Sequence, residues 1–359
     1  MSMKVMCTIA VALALVGAGL RPGPAASEER CLPAPGSAIR EFAGRLKVGP
    51  PKKHGNLTLY PVFADGAAVP EVGLTLDEAM ERGSIEIREL KPAEVNRVRL
   101  VSRAKEPIFV MGGEMLTGAK QDRIMGDDMI VPPGADLTIP VFCIERGRWV
   151  GTTETFSALG AIAGSAVRNA GQEAGQRAVW DNVAAQQERL DARSATGSLR
   201  SVHDSESVQH KVEPYERALA DLPVSARGVV ARLGDEVVTA DLFASRTLFE
   251  KLWPKLLESY VIDALDREPS GAPPDAVQIR RWLAGIADAD KRAEDTPGGG
   301  ALYKLQGGRL MGSALVYEGG VVHMQAFAFG IGDPEPTPLN RLEFRRERLE
   351  EGQQELPER

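Results

Sequence analysis

Between Leu57 and Trp149 the apolar residues come in short runs, "LTLYPVF", "IEIREL", "VNRVRLVS", "PIFVMGG" and "DLTIPVFCIE", each cut off by glycine, proline or charge. Runs of this length suit strands better than helices with a buried face. In "VNRVRLVS", alternation sets Val95, Arg97, Arg99 and Val101 on one side and Asn96, Val98, Leu100 and Ser102 on the other, as in a half-buried strand. One helix interrupts the series at "LTLDEAMERGS": Thr75 is the N-cap, Asp77 and Glu78 fall in the first turn, and Gly83 is the stop. A parallel sheet needs long crossovers between successive strands, and these connections are too short to supply them. The expected fold class is α+β: a strand-rich antiparallel N-terminal sandwich or partial barrel, followed by a mixed helix and hairpin C-terminal unit.

The expected organisation is a signal peptide at 1–26, an N-terminal extension at 27–56, the strand-rich domain at 57–150 and a helical and mobile connector at 151–212. An α+β unit at 213–332 and a charged tail at 333–359 complete it. In the connector, Val167, Val179, Trp180, Val183 and Leu190 form a loose helical face, and "DARSATGSLRSVHDSESVQH" reads as a polar, mobile loop. The solvated histidines of that loop, His203 and His210, lack partners at metal-ligand spacing. Further on, "YERALADLP" predicts a short helix, "ARGVVARLGDEVVTADLF" a hairpin turning at Gly234-Asp235, and "SRTLFEKLWPKLLESYVIDALDR" a long helix capped by Ser245. Its Leu248, Leu252, Leu256 and Ile262 are expected in the core, and Pro254 is expected to kink it. Another helix is expected around "DAVQIRRWLAGIADA", and the closing strands "GRLMGSALVYEGGVVHMQAFAFG" put His323 and Gln325 on one sheet face.

The first residues set Lys4, the 16-residue apolar run Val5 to Leu20 and the small residues "GPAAS" in the order of a secretory signal peptide. The expected location is periplasmic or secreted, with no stable membrane anchor after cleavage. Removal of Met1 to Ala26 takes away Lys4 and Arg21, leaving 41 basic against 50 acidic residues and moving the net charge from -7 to -9. That balance argues against nucleic acid as a partner. Cys31 and Cys143 remain, and an oxidising compartment permits a disulfide between them, but Cys143 in "IPVFCIE" reads as a small buried hydrophobe.

The densest polar stretch is "GGEMLTGAKQDRIMGDDMIVPPG", Gly112 to Gly134. Lys120 and Arg123 can hold a phosphate or carboxylate, while Glu114 and Asp122 can bind a hydroxyl, a cation or a proton, with Gln121 between them. It is not a Walker loop, since a glycine and the following helix with Ser or Thr are missing. Internal salt bridges among Lys120, Arg123, Asp122, Asp127 and Asp128 are the structural alternative. The second cluster is "VFCIERGRWV", where Glu145, Arg148 and Trp149 gather at a strand end. If the two strands are neighbours, Glu114 and Glu145 could share a cleft as general acid and base, which makes them the catalytic candidates. Cys143 as a nucleophile would require His323 beside it.

The succession from "LTLYPVF" through "PIFVMGGEMLTGAKQDRIM" and "IPVFCIERGRW" to "SALVYEGGVVHMQAF" resembles the family of ARG-and-rhodanese-phosphatase-superfamily-associated protein domains. The resemblance implies a role near ADP-ribose or another nucleotide-derived ligand, because the family's name records association with ADP-ribosylglycohydrolases and rhodanese-like phosphatases. The expected function is an exported binding protein for a small anionic ligand. The alternatives are a hydrolase acting on a phosphorylated or ribosylated substrate, and an envelope scaffold or interaction module. No motif identifies a cofactor.

Overall fold

The computed structural model describes residues 35–328 apart from 152, 234–235, 266–275 and 309. The expected signal peptide, Cys31, the expected turn at Gly234-Asp235 and the expected charged tail lie outside the described residues. The chain enters through α1 (Pro35–Gly44) and the short strands β1 (Leu46–Val48) and β2 (Lys52–His54), which both pair with β3 (Leu57–Ala64). After β4 (Leu74–Thr75) and α2 (Leu76–Glu81) come β5 (Ile85–Glu89), β6 (Arg97–Ser102), β7 (Ile108–Val110) and β8 (Glu114–Gly118). The strands β9 (Arg123–Met125), β10 (Met129–Val131), β11 (Asp136–Cys143) and β12 (Phe156–Ile162) follow. The helical stretch holds α3 (Ser165–Asn169), a π-helical turn (Ala170–Ala174), α4 (Gln176–Arg189), α5 (Arg200–Asp204) and α6 (Glu206–Leu219). The hairpin β13 (Gly228–Leu233) and β14 (Glu236–Phe243) leads to α7 (Arg246–Leu265) and α8 (Ala276–Asp288). The last strands are β15 (Asp290–Glu294), β16 (Ala301–Gly307), β17 (Leu310–Tyr317) and β18 (Gly320–Ala328).

A nine-stranded sheet takes the order β1-β3-β13-β14-β18-β17-β16-β15, with β2 also on β3, so an early strand lies inside a sheet made mostly of late ones. A six-stranded sheet runs β12-β8-β9-β11-β6-β5, and β10, β7 and β4 form a third. The pairings are antiparallel except that of β4 with β7. The fold is therefore α+β, strand-rich and antiparallel.

Alternation makes the large sheet two-sided. Tyr60, Val62, Val230, Ala240 and Leu242 face one core with Ile39 and Phe42 of α1 and Ile279, Leu283 and Ile286 of α8. Leu57, Leu59, Val229, Ala231 and Phe243 face the other, with Leu248, Leu252 and Leu256 of α7. Each fully buried large apolar side chain contributes roughly 1.5–3 kcal/mol of transfer free energy, which is why both faces must be covered.

Local signals set several boundaries. Thr75 Oγ1 accepts from the Glu78 N–H at 3.3 Å while the Glu78 carboxylate accepts from the Thr75 N–H at 2.9 Å, a reciprocal capping box. Ser245 Oγ accepts from the Leu248 N–H at 3.2 Å at the start of α7, and Leu248, Leu252, Leu256 and Ile262 are buried as expected. Val167, Val179, Trp180, Val183 and Leu190 are also buried. Three expectations need correction. The stretch read as a mobile polar loop forms α5 and the start of α6, held by buried Val202, Val208 and Val212. His203 packs against α7 with its ring nitrogen 3.1 Å from Glu258, so it is not a solvated loop residue. Residues 156–162, assigned to a helical region, form strand β12. Among the described residues no helix is long and apolar enough to cross a membrane.

Candidate functional site

The two leading glycines of the polar stretch are demanded by packing. A Cβ on Gly113, whose φ is +93°, would stand 2.5 Å from Cγ and Cδ of Arg168, and one on Gly112 would stand 2.8 Å from Gln172 Nε2. The backbone thus passes directly over side chains that reach up from α3 and the π-helical turn.

Beyond this turn, β8 and β9 carry the chain to a cluster that unites most of the expected site residues. The Glu145 carboxylate accepts from Arg148 Nε at 2.9 Å, the Asp122 N–H at 3.0 Å and the Thr196 hydroxyl at 2.7 Å. Asp122 accepts from the Gly118 N–H at 3.1 Å, Arg148 Nη2 at 3.2 Å and the Ser198 hydroxyl at 2.8 Å. Gln121 Nε2 donates to the Glu145 carbonyl at 2.9 Å and its Oε1 accepts from Arg123 Nη1 at 3.0 Å. Lys120 Nζ sits 4.7 Å from the Trp149 ring centroid and the Arg123 guanidinium 5.9 Å from it. Burial works against charge on Glu145, but the Arg148 guanidinium, the Asp122 N–H and the Thr196 hydroxyl outweigh it and hold the carboxyl below its usual range.

Of this cluster, Asp122, Glu145 and Arg148 floor an opening of about 530 Å³, which Lys120, Gln121, Arg123 and Trp149 do not line. Thr117 and Gly118 of β8, Thr153 and Ser157 before and within β12, and the turn from Ser194 to Asp204 surround it. Seven of its thirteen lining residues are serine or threonine, beside Asp122, Glu145, Arg148, Arg200 and Asp204. Arg200 is partly exposed at the mouth, with Nε 2.8 Å from Asp204 and Nη1 3.2 Å from the Thr117 hydroxyl. The hydroxyl side of the site was missed in the sequence, where "RSATGSLRS" passes for ordinary loop composition. Its signal is the spacing by two of Ser194, Thr196 and Ser198.

Glu114 is placed elsewhere. It begins β8, four residues and roughly 13 Å of strand from Gly118. Its carboxylate accepts from the Met111 N–H at 2.7 Å and from Lys255 Nζ of α7, which also reaches Asp77 at 2.6 Å. Burial opposes the charge on Lys255, yet Glu114 and Asp77 overcome it and raise its pKa; burial pushes the Glu114 carboxyl up. Glu114 thus bonds to Met111 and Lys255, whereas the residues of the Glu145 cluster bond to one another.

A second buried constellation centres on His323. His323 Nδ1 lies 2.6 Å from Asp128 Oδ2, and Nε2 lies 3.3 Å from Asp241 Oδ1. Asp241 also accepts from both terminal nitrogens of Arg168, at 2.8 and 3.1 Å, and from the Tyr260 hydroxyl. Asp128 Oδ1 accepts from the Gly112 N–H at 2.8 Å, and Gln325 Nε2 donates to Ser313 at 3.0 Å. All these side chains are buried, so the network locks the glycine turn, α3, α7 and the large sheet together. Cys143, on β11, donates its thiol to the Glu145 carbonyl at 3.3 Å and packs with Val95 and Trp180. Burial outweighs the nearby Arg123 and pushes that thiol's pKa up, and His323, the partner a nucleophilic role would require, is engaged with Asp128. Among the described residues no group of three or more His, Cys, Asp or Glu side chains could hold a metal ion.

No curated protein and no solved structure matches the chain. The family model of the ARG and Rhodanese-Phosphatase-superfamily-associated Protein domain matches residues 45–327, which contain both the hydroxyl-lined opening and the His323 network. The chain belongs to that family.

Proposed function

We propose that the protein is exported to the periplasm or secreted, and that it binds a small anionic ligand rich in hydroxyls, a nucleotide or ADP-ribose derivative being the best chemical fit. The observation that carries this reading is the opening of about 530 Å³ over Asp122, Glu145 and Arg148, a size suited to a small molecule. Its lining holds three carboxylates and two guanidiniums, so charge alone does not select a phosphate. The hydroxyls favour a sugar: a ribose can exchange hydrogen bonds with Thr117, Ser157 and Thr196, while Arg200 at the mouth can meet a phosphate. Binding ranks above hydrolysis because Glu145 is already saturated by Arg148, Thr196 and the Asp122 N–H, which leaves it a fixed wall of the site and a poor proton acceptor.

Isothermal titration of the mature protein with ADP-ribose, ribose 5-phosphate and inorganic phosphate tests the reading. ADP-ribose is expected to bind best, and Arg200→Ala should weaken it about ten- to a hundred-fold if one charge-assisted contact is lost. Unchanged affinity in a folded Arg200→Ala protein would move the anion elsewhere; no binding by the unmodified protein would favour the scaffold alternative. Export rests on the run from Val5 to Leu20, and mass spectrometry of protein from its native host should find an amino terminus near Ala26 or Ser27. Intact Met1 on the protein would reject it.

A further inference from the structure

A larger opening, of about 710 Å³, lies where the six-stranded sheet comes back on itself. The sheet's two edge strands are β12 and β5. An isolated antiparallel bridge joins Arg88 of β5 to Thr155, just before β12. Away from that bridge the edges part, with Ile85, Glu86 and Ile87 lining one side of the opening and Phe156 to Gly160 the other, and α2 closing one end. The cause of the parting is local. Between Ala158, opposite Leu116, and Ile162, opposite Glu114, β12 gains two residues on β8, and Gly160 at φ +74° stands in this bulge. A bulge bends its own strand, here at the place where pairing with β5 would otherwise continue.

In an antiparallel strand alternate residues turn their N–H and C=O groups to opposite edges, so β5, paired with β6 on one side, presents peptide groups to the gap on the other. The same holds for β12, paired only with β8. Unpaired strand edges are templates for an incoming strand. Half-buried Met80 and Leu159 and buried Phe156 offer apolar contacts within the gap. Its polar lining is acidic: Asp77, Glu81 and Glu86 against Arg103. Glu86 is held by Arg103 at 3.1 Å and by Arg88 at 3.4 Å, and Lys255 behind Asp77 is shared with Glu114, which leaves the exposed Glu81 to meet an incoming charge.

We infer that the gap between β5 and β12 is a strand-addition site for an extended, basic peptide segment. The peptide backbone pairs with one or both edges. Alternate apolar side chains turn in toward Met80, Phe156 and Leu159, and a basic side chain between them meets Glu81. This site is separate from the hydroxyl-lined opening and does not depend on the small-ligand reading.

The test uses the full chain and peptides of the pattern Thr-X-Lys-X-Lys-X-Thr, with X as Val, Leu or Phe, followed by hydrogen exchange. At least one peptide of the set should slow amide exchange in residues 84–88 and 155–160. The matching peptides with Glu for Lys, and those N-methylated at alternate peptide nitrogens, should not. Glu81→Lys should weaken the best peptide up to about fivefold, the upper end for one exposed charge pair. Equal protection by the N-methylated peptide would overturn strand addition and leave charge attraction alone. Protection outside the two segments, or from no peptide of the set, would overturn the site.

Discussion

Replacing His323 by Gln should remove most of the alkaline decline in this protein's stability. Burial works against the imidazolium, but Asp128 Oδ2 at 2.6 Å and Asp241 Oδ1 at 3.3 Å outweigh it and raise the pKa from 6.5 to about 9. Unfolding returns the ring to its ordinary value of about 6.5. The folded chain therefore holds this proton more tightly than the unfolded chain does. Its stabilising contribution is complete below about pH 6.5, shrinks as the pH rises, and is lost once the pH passes about 9. The separation from 6.5 to about 9, at about 1.4 kcal/mol per pH unit, corresponds to about 3 kcal/mol. Urea unfolding across this range measures it directly. In the unmodified protein the unfolding free energy should fall by about that amount between about pH 6.5 and 9. In His323→Gln the stability should be lower at the acidic end, because Asp128 and Asp241 lose a buried partner, and nearly level across the window. Parallel curves for the two proteins would refute the argument, since they would mean that the ring carries no extra proton affinity in the fold. NMR of the four histidines provides an independent reading: the ring signal absent from His323→Gln should titrate near pH 9.

Other perturbations probe the remaining structural claims. Gly113→Ala forces a side chain onto a φ of +93° and into Arg168, so it should cost about 2–4 kcal/mol, seen as a lower urea midpoint; a loss below about 0.5 kcal/mol would reject the close approach. Thr75→Ala removes the capping box of α2 and should cost about 1 kcal/mol by the same assay, with an unchanged midpoint counting against the cap. Cys143 is buried, with its thiol pKa pushed up, so native-state alkylation followed by peptide mass spectrometry should leave it unlabelled until denaturant is added. Rapid labelling of Cys143 in the folded protein would contradict its placement in the core.

Legibility in the sequence followed how local each physical signal was. The cap at Thr75, the start of α7 at Ser245 and the buried stripe Leu248, Leu252 and Leu256 depend on neighbours within one or two turns, and they were readable. Helix α6 was readable only in its last part, within "YERALADLP"; its start was not, because Pro214 lies inside it and its exposed face is polar, so the apolar spacing of Val208, Val212 and Leu219 is diluted. Strand β12 was hidden by its composition, "FSALGAI", in which a glycine bulge breaks the period of two. For the site, proximity in sequence carried Gln121, Asp122 and Arg123 together, and Glu145 and Arg148 together. Their meeting across β9 and β11, paired at Cys143 and Arg123, is a long-range event. Glu114 separated from them because β8 runs away from the cluster and α7 supplies Lys255 from far along the chain. The His323 network is similarly nonlocal. A visible trace was the aspartate in "VVTADLF" and the histidine in "VVHMQAF", polar residues inside the apolar, mutually paired strands β14 and β18 whose side chains come within 3.3 Å of each other.

The proposal that Asp122, Glu145 and Arg148 floor a site for a ribose-bearing anion is tested most directly by a crystal structure of the mature protein with ADP-ribose. The account predicts the ligand in the opening between β8, β12 and the turn from Ser194 to Asp204, with ribose hydroxyls bonded to Thr117, Ser157 or Thr196 and a phosphate oxygen within hydrogen-bond reach of Arg200. A ligand bound elsewhere, with that opening unchanged, would contradict it.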